Sequence, residues 1–383
     1  MKCRIVILTE IISPYRVPVF NALAQQEELD LHVVFLAETD AALRQWRVYR
    51  DEIHFAYKVL PSWRWRVGNR GVLLNRGLWK TLNAADPQAV LCGGYNYPAS
   101  WEALWWARRR RVRFVLWSES NRQDHRSGRI WVEGLKWHFL RHCDAFVVPG
   151  KASFAYLQDL GAPTDSIFTA PNAVDSAYFA TTAENARAKE NSHRQRLGLP
   201  ARFILYAGRL VPEKGIFDLL EAYGKLESDL RAKVGLVFAG DGVSHGELVE
   251  RSRPISPGMV CFTGFAQRED LAVLYSLAEA LVLPTHSDPW GLVVNEAMVC
   301  GLPIVVTSVA GCAQDLVEDG WNGYVVPPRD PGRLSAAIRS VAEQPETRRQ
   351  MSANSRERIR HYSPEDCARG LAEAVISPRT EPL

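Results

Sequence analysis

The chain has 383 residues, of which 47% are hydrophobic and 23% are charged, and these values are typical of a soluble globular protein with two domains of ordinary size. No apolar run approaches the roughly 20 residues that a membrane-spanning helix requires. Seven cysteines without a CxxC pair argue against a disulfide framework and against a zinc site. A reducing, cytoplasmic setting is therefore expected.

The amino terminus reads MKCRIVILTE, and Glu10 ends its apolar run with no small-residue cleavage site after it. This pattern predicts a first buried strand rather than a signal peptide. Charge is divided unevenly: residues 1–170 carry 23 Lys and Arg against 16 Asp and Glu, whereas the rest of the chain carries 23 against 27. The two halves are therefore expected to face different partners.

Short apolar runs alternate with helical patterns along both halves. The runs are RIVILT, LHVVFLA, AVLCGG, FVLWSES and AFVVPG, then FILYAGR, VGLVFAGDG, MVCFTG, ALVLPT and PIVVTS. Continuously apolar strands between helices are typical of a parallel sheet covered on both faces, so the sequence predicts an α/β protein with two Rossmann-like doubly wound domains. Residues 171–200 lose the strand pattern and turn polar, which predicts a connection between the two domains followed by an exposed lead-in. Ligands are expected beyond the carboxyl ends of the strands, in a cleft lined by strand-end loops.

The stretch HSDPWGLVVNEAMVCGLPIVVT, residues 286–307, places Asp288 before a Pro-Trp-Gly turn and Glu296 inside the helix that follows. Free backbone N–H groups at a helix start bind anions. Here they belong to Gly291, Leu292 and Val293. The two acids would reach different parts of one ligand, such as a sugar hydroxyl and a ribose diol. The alternative is that Asp288 is a helix cap and Glu296 a surface residue.

A second basic motif, AGRLVPEKG, follows an apolar strand in the same half of the chain. Its Arg209 and Lys214 could both neutralise a diphosphate, Arg by a two-pronged contact and Lys as a point charge. The alternative is two solvated basic residues in a loop. Neither GxGxxG after the first strand nor GxxxxGK[ST] occurs in the chain, so a phosphate would be held in another way.

Taken in order, GRLVPEKG, FAGDG, FTGF, SDPWGLVVNEAMVCGLPIVVT and DGWNGYVVPPRD resemble the carboxyl-terminal domain of the retaining family 4 glycosyltransferases, which have the two-domain GT-B architecture. PNAVD resembles the family's hinge, and HYSPEDCARGLAEAV resembles its closing helix. The resemblance implies an acceptor-binding domain over residues 1–170, a nucleotide-sugar-binding domain over 171–360, and a helix over 361–383 that crosses back to the first domain.

By this resemblance, Arg209 and Lys214 hold the diphosphate of the donor, and Glu296 binds the ribose. Asp288 takes the place of the first acid in the family's Glu-x7-Glu motif, near the transferred sugar, although its side chain is one methylene shorter. Other positions are implied around the nucleotide: Gly291, Leu292 and Val293 at the phosphate, and Gly240, Asp241, Thr263 and Phe265 around the base.

The first half departs further from the family pattern. Many members have a glycine pair in the loop after the first strand, and here Glu10, Ser13, Tyr15 and Arg16 occupy that loop. Either Glu119 or Ser118 stands where many members have a His that contacts the sugar, and His125 comes a few residues too late to be equated with it. The resemblance implies retention of anomeric configuration, no metal ion and no cofactor. The donor substrate is a nucleotide sugar whose nucleotide can be UDP, GDP or ADP. The resemblance also implies a glycan, lipid-linked or small-molecule acceptor, with a role in surface polysaccharide synthesis.

Ten of the twelve tryptophans precede residue 140, and they alternate with basic residues in WRWR at 63–66 and WWARRRRVR at 105–113. Such a patch suits an anionic membrane surface, and nucleic acid is a competing partner. Buried tryptophans beside a solvated arginine face are the structural alternative. Because many members of the family glycosylate lipid-linked acceptors, we expect peripheral membrane contact and no nucleic acid. His138 and His142 lack the Glu of an HExxH site and are expected to be ordinary helix residues.

Two other functions share this fold. A nucleotide-sugar epimerase would release a free sugar epimer without an acceptor, and a phosphorylase would require inorganic phosphate. A catalytically silent glycan-binding relative would turn over no donor at all. The sequence favours the transferase.

Overall fold

The computed structural model describes residues 2–40, 45–67, 70–123, 130–255 and 259–377, so His125 lies outside the described residues. The chain divides into two compact units. The first contains the residues up to Val174 together with those from Ser363 onward, and the second is Asp175–Tyr362. Each unit is built on its own parallel sheet.

The described strands of the first unit are β1 (Cys3–Thr9), β2 (Leu29–Phe35), β3 (Ala56–Val59), β4 (Ser62–Val67), β5 (Arg70–Asn75), β6 (Ala89–Cys92), β7 (Arg113–Trp117), β8 (Ala145–Val148) and β9 (Ile167–Thr169). Within the described chain, seven of them form one sheet in the order β3-β2-β1-β6-β7-β8-β9, with all neighbours parallel. Strands β4 and β5 form a separate antiparallel hairpin.

Helices cover both faces of this first sheet. They are α1 (Val17–Ala24), α2 (Leu78–Ala85), α3 (Pro98–Arg110), α4 (Ile130–Leu140) and α5 (Lys151–Asp159). One core cluster contains Leu82, Trp106 and Phe139, and the other contains Phe20. Burial on both faces explains why the strands are continuously apolar rather than alternating.

The second unit repeats the arrangement. Its described strands are β10 (Phe203–Ala207), β11 (Gly235–Ala239), β12 (Val260–Gly264), β13 (Ala280–Leu283), β14 (Ile304–Thr307) and β15 (Gly323–Val326). Their parallel order, β12-β11-β10-β13-β14-β15, is that of a doubly wound nucleotide-binding sheet. The order reverses between β10 and β13, so the loops after these two strands flank the point where such sheets bind ligands.

The helices of the second unit are α6 (Ser176–Ala188), α7 (Glu190–Leu197), α8 (Ile216–Gly224), α9 (Ser228–Arg231), α10 (His245–Ser252), α11 (Arg268–Leu277), α12 (Leu292–Val299), α13 (Ala313–Leu316), α14 (Pro331–Glu343) and α15 (Pro345–Ile359). The last helix, α16 (Pro364–Ile376), packs on α1 and belongs to the first unit. A Cβ atom on its Gly370 would lie 2.2 Å from the Thr169 carbonyl oxygen, so the close packing of α16 on β9 requires glycine there.

The prediction of two doubly wound α/β domains is confirmed, and each of the ten apolar runs contains a strand. The sequence pattern assigned no helix to residues 171–200, the predicted connection and exposed lead-in. Most of this segment is helical, because Asp175 caps α6 by accepting from the Tyr178 N–H and because Phe179 is buried in the second unit. The α7 helix buries none of its residues, which is why its sequence is so polar.

Candidate active site

The loops after β10, β11 and β12 pack directly against one another at the carboxyl end of the second sheet. The Gly240 N–H donates to the Gly264 carbonyl at 2.8 Å, and the Leu210 N–H donates to the Asp241 carbonyl at 2.9 Å. A Cβ atom on Gly240 would lie 1.8 Å from the Gly208 carbonyl oxygen, so no larger residue fits. The implied residues Gly240 and Asp241 therefore lie beside the loop that carries Arg209.

Glu296 is the most unusual group in this region, because its side chain lies in the core of the unit rather than on its surface. The residue is 1% exposed, and the Tyr275 hydroxyl donates to its Oε2 at 2.7 Å. Its Oε1 has no hydrogen-bond partner within the described part of the chain. Burial raises the pKa of this carboxyl to about 7, against a smaller opposing effect of the Tyr275 hydrogen bond. Its interpretation as a surface residue is excluded.

An unpartnered carboxylate oxygen in a core is costly for the free protein, and such atoms are rare in native structures. The cost is recovered when a ligand donates a hydrogen bond to that oxygen. Glu296 lies on α12, more than one turn after the helix start, as the sequence predicts. The helix therefore offers two contacts to one ligand, a set of N–H donors at its start and a carboxylate deeper in.

The start of α12 is fixed by Gly291, which adopts a left-handed conformation with φ of 99°. Among the described residues, the backbone N–H groups of Gly291, Leu292 and Val293 have no acceptor. Asp288 does not cap this helix in the usual way; its Oδ1 instead accepts from the Trp290 N–H at 3.2 Å. The helix start thus keeps its anion-binding donors.

We expect Gly291→Ala to destabilise the protein by about 1 to 3 kcal/mol, because the left-handed conformation disfavours a side chain and the added Cβ would lie 2.7 Å from Leu283 Cδ2. Chemical denaturation measures the effect. The control is Gly246→Ala in α10, where a Cβ meets nothing within 4 Å and stability should be unchanged or slightly higher. Equal effects of the two substitutions would contradict a special role for the Gly291 conformation.

Lys214 and Asp288, which sequence reasoning treats separately, form an ion pair. Lys214 Nζ lies 2.6 Å from Asp288 Oδ2 and 3.2 Å from the Ser287 carbonyl oxygen. Both side chains are largely buried, at 14% and 16% exposure, so solvent screens the pair weakly. The contact joins the loop after β10 to the loop after β13, the two loops that flank the reversal of strand order.

Arg209 takes a different position from Lys214. Its guanidinium donates to Glu213 Oε1 at 2.8 Å, and about half of its side chain is exposed. Sequence reasoning missed two further contacts of the loop after β13. The His286 N–H donates to the Glu213 carbonyl in the loop after β10 at 2.9 Å, and His286 Nε2 lies 2.7 Å from Asp218 Oδ2 on α8. Direct contacts therefore tie together the two loops that carry Arg209, Lys214 and Asp288.

Two of the residues implied around the base, Thr263 and Phe265, lie at the end of β12. Thr263 Oγ1 makes a long contact of 3.4 Å with the Gly264 carbonyl, and Phe265 exposes 41% of its surface. An exposed aromatic ring at a strand end can stack on a planar ligand, since the stacking face is not occupied by the core. Among the described residues, the contacts of Thr263 and Phe265 do not extend to Glu296.

The first unit places Glu119 directly after β7, where it pairs with Arg16 from the loop after β1. The Arg16 guanidinium lies 3.7 Å above the Trp117 ring and donates to Asn172 Oδ1 at 3.3 Å. The pairing of Arg16 with Glu119 was not predicted from the sequence. The carboxylate is therefore held in one orientation at the carboxyl end of the first sheet.

The tryptophan-rich segments separate into buried and exposed parts. Trp63 and Trp65 are exposed, whereas the WWARRRRVR segment is only partly so. Trp106 is 1% exposed, Arg108 pairs with Asp144 at 3.2 Å, and Arg113 is buried and donates to the Ala374 carbonyl. In this segment Trp105 and the four arginines 108–111 are exposed, as a surface stripe requires, whereas Trp106 and Arg113 are buried.

His138 and His142 lie near each other at the end of α4, with ring centroids 4.6 Å apart. Across the described ranges, no group of three His, Cys, Asp or Glu side chains has the arrangement of a metal site. In the same ranges, no helix is both long and apolar enough to cross a membrane.

Comparison with known proteins defines the class. Residues 188–358 match the family model "Glycosyl transferases group 1", and residues 19–178 match "Glycosyltransferase Family 4". One match falls mainly in each unit, and together they span most of the chain. The protein therefore belongs to the GT-B glycosyltransferases that these models describe.

Individual relatives match over part of their length. Glycogen synthase of Mycobacterium tuberculosis is 34% identical over 171 residues, which is 44% of this chain and 40% of the relative. Alpha-D-kanosaminyltransferase of Streptomyces kanamyceticus is 33% identical over 174 residues, 45% of this chain and 44% of the relative. The chain thus spans less than half the length of these relatives.

Among solved structures, Anabaena Alr3699/HepE in complex with UDP and glucose superimposes with a TM-score of 0.76. The match covers 97% of this chain and 99% of that chain, at 18% identity. At this level of identity the likeness establishes the fold alone, which is that of two Rossmann-like domains.

Proposed function

We propose that this protein is a retaining glycosyltransferase that moves a sugar from a nucleoside diphosphate donor to a glycan, lipid-linked or small-molecule acceptor. The observation that carries the proposal is the buried carboxylate of Glu296, whose Oε1 lacks a partner among the described residues. A ribose hydroxyl would satisfy it. The UDP and glucose bound by Anabaena HepE, a protein of the same fold, support a donor of this kind.

The chemistry assigned to the second unit is stabilisation of the leaving group. Departure of a nucleoside diphosphate builds negative charge on its β-phosphate while the sugar becomes oxocarbenium-like. Lys214, Arg209 and the N–H groups at the start of α12 are the donors available for that charge. Such preorganised electrostatics usually make the largest single contribution to catalysis. On this assignment no metal ion or further cofactor is needed.

Lys214 and Asp288 form an ion pair in the protein without donor, and the roles that we assign to them start from this contact. A diphosphate arriving at Lys214 replaces part of its contact with Asp288, which leaves the Asp288 carboxylate available to accept a hydrogen bond from a hydroxyl of the transferred sugar. The Ser287 carbonyl keeps the ammonium in place during the exchange. The side chain of Asp288 is one methylene shorter than the Glu of the family motif, and its contact with Lys214 offsets this difference by orienting the carboxylate.

For retention, we assign attack by the acceptor to the same face that the diphosphate leaves, with a phosphate oxygen taking the acceptor proton. Glu119, held by Arg16, is the residue of the first unit assigned to the sugar. We further propose a role in surface polysaccharide synthesis, at the cytoplasmic face of a membrane with anionic lipids. The surplus of basic residues in the first 170 positions supports that location.

The test is to incubate the protein with a donor of known anomeric configuration and to determine that of the product by NMR. Retention in an acceptor-dependent product that forms equally in EDTA supports the proposal. An inverted linkage would refute the mechanism, and loss of activity in EDTA would refute metal independence. Formation of a free sugar epimer, or a requirement for inorganic phosphate, would instead identify an epimerase or a phosphorylase.

A further inference from the structure

The β4–β5 hairpin has one face on the body of the first unit and one apolar face in solvent. Trp63 pairs with Leu74, and Trp65 pairs with Val72, across the two strands. All four are exposed, from 38% for Val72 to 71% for Trp65. The pair between them, Arg64 and Leu73, points the other way, since alternate residues of a strand lie on opposite faces. We refer to the four exposed residues as the hairpin face.

The hairpin is attached to the strand-end loops of the first sheet. Arg64 forms an ion pair with the buried Asp40 and lies 4.0 Å from Glu10, which directly follows β1. Asn75 Nδ2 donates to the carbonyl of Leu36, directly after β2, at 2.6 Å. These contacts place the hairpin at the carboxyl ends of β1 and β2. The hairpin face is therefore not a disordered excursion but a fixed surface beside these loops.

The segment of sequence that contains the hairpin carries charges of one sign, although Arg64 on its inner face is paired with Asp40. Residues 53–85 contain six Lys and Arg and no Asp or Glu, in a chain that otherwise carries similar numbers of both. The Arg76 guanidinium lies 4.3 Å above the Trp63 ring, at the edge of the hairpin face. Exposed indole rings beside cations match the headgroup layer of an anionic bilayer, where tryptophan is favoured and each cation contributes about 1 kcal/mol.

We propose that the hairpin face is the membrane-contacting element of this protein, with Trp63 and Trp65 inserted at headgroup depth in an anionic lipid surface. The contact holds the loops after β1 and β2 close to the bilayer, where the head of a lipid-linked acceptor would be found. This last consequence rests on the proposed function, whereas lipid binding by the hairpin does not. The WWARRRRVR segment has exposed arginines but only one exposed indole, Trp105, because Trp106 is buried, and it is not the proposed contact.

The test uses the full-length protein and sedimentation with vesicles of phosphatidylcholine, with and without phosphatidylglycerol. We expect binding to the anionic vesicles, and we expect the double variant Trp63→Ser, Trp65→Ser to lower the partition coefficient by roughly tenfold or more, as the loss of two interfacial indoles implies. Trp137→Ser is the matched control, because Trp137 is an equally exposed indole on α4 and lies 4.3 Å from the Arg141 guanidinium. It should bind as the wild type does.

Binding by the double variant equal to that of the wild type would overturn the proposal, and so would an equal loss in Trp137→Ser. Because both tryptophans are exposed, the double variant should keep its melting temperature. Quenching of wild-type tryptophan fluorescence by brominated phosphatidylglycerol provides a test without any variant, and absence of quenching would also contradict insertion. A nucleotide-dependent rise in melting temperature, measured on the same proteins, reports the donor site separately, so failure of the proposed function and failure of this proposal are distinguishable.

Discussion

We expect Glu296→Gln to weaken nucleoside diphosphate binding by roughly tenfold to a hundredfold while making the unliganded protein more stable at pH 8. The weaker binding follows from the loss of charge-assisted hydrogen bonds, which contribute about 1.5 to 3 kcal/mol each. The higher stability follows because the substitution removes a buried carboxylate that has an unpartnered oxygen within the described chain. A substitution that weakens ligand binding and at the same time stabilises the unliganded protein indicates a residue that serves the ligand rather than the fold.

The stability effect has a defined pH dependence. Burial raises the pKa of Glu296 from 4.5 to about 7 in the folded protein. Between pH 4.5 and about pH 7, Glu296 is ionised in the unfolded chain but still protonated in the folded protein. The wild type therefore loses stability as pH rises through this window, and it loses no further stability at higher pH. Glutamine does not titrate. The stability advantage of Glu296→Gln should therefore be absent near pH 4 and reach roughly 1 to 3 kcal/mol by pH 8.

Chemical denaturation at several pH values measures this difference, and isothermal titration with nucleotide measures the binding. The control is Glu221→Gln on α8, the same change at a residue whose side chain is 59% exposed and pairs with Lys225. It should alter neither quantity by much. A destabilised Glu296→Gln protein with wild-type affinity would mean that the carboxylate serves the fold and not a ligand.

The Lys214→Ala substitution should lower kcat/KM by roughly a hundredfold to a thousandfold, the range reported for removal of one donor from a developing oxyanion. It should also destabilise the free protein, because it leaves the largely buried Asp288 carboxylate without its 2.6 Å partner. Asp288→Asn keeps Lys214, which is assigned to the diphosphate, but removes the carboxylate assigned to the transferred sugar. The substitution should therefore lower turnover more than it lowers nucleotide affinity.

The double variant Lys214→Ala, Asp288→Asn separates the two roles of the pair. Neutralising the acid should restore much of the stability that Lys214→Ala loses, since no uncompensated charge remains. It should restore neither nucleotide affinity nor turnover. Recovery of affinity in the double variant would show that Lys214 acts by neutralising Asp288 and not by binding the diphosphate.

The elements that sequence reasoning identified are those whose pattern is local. The runs around Val90 and Val282 are continuously apolar because both faces of each sheet are covered, and turn residues mark their ends. The hairpin escaped detection because the alternation of Trp with Arg in WRWR, although it is the pattern of a half-exposed strand, was interpreted as part of a basic and aromatic surface patch. Helix α7 escaped because none of its residues is buried.

Contacts between distant residues required the structure. Lys214 and Asp288 are 74 positions apart, and their pairing depends on how two strand-end loops meet. The burial of Glu296 depends on Tyr275 from α11, which no motif links to it. Trp105 and Trp106 are adjacent in sequence, but successive helical residues lie about 100° apart, so one is exposed and the other is in the core.

The most direct test of the account is a thermal-shift panel of UDP, GDP, ADP and their sugar conjugates against the wild type and Glu296→Gln. A ligand that binds the native state must raise its melting temperature. We predict that one nucleotide stabilises the wild type, that a sugar conjugate of it does so further, and that both shifts largely disappear in Glu296→Gln. Shifts of equal size in the two proteins, or none with any nucleotide in the wild type, would contradict a nucleotide-sugar site at Glu296.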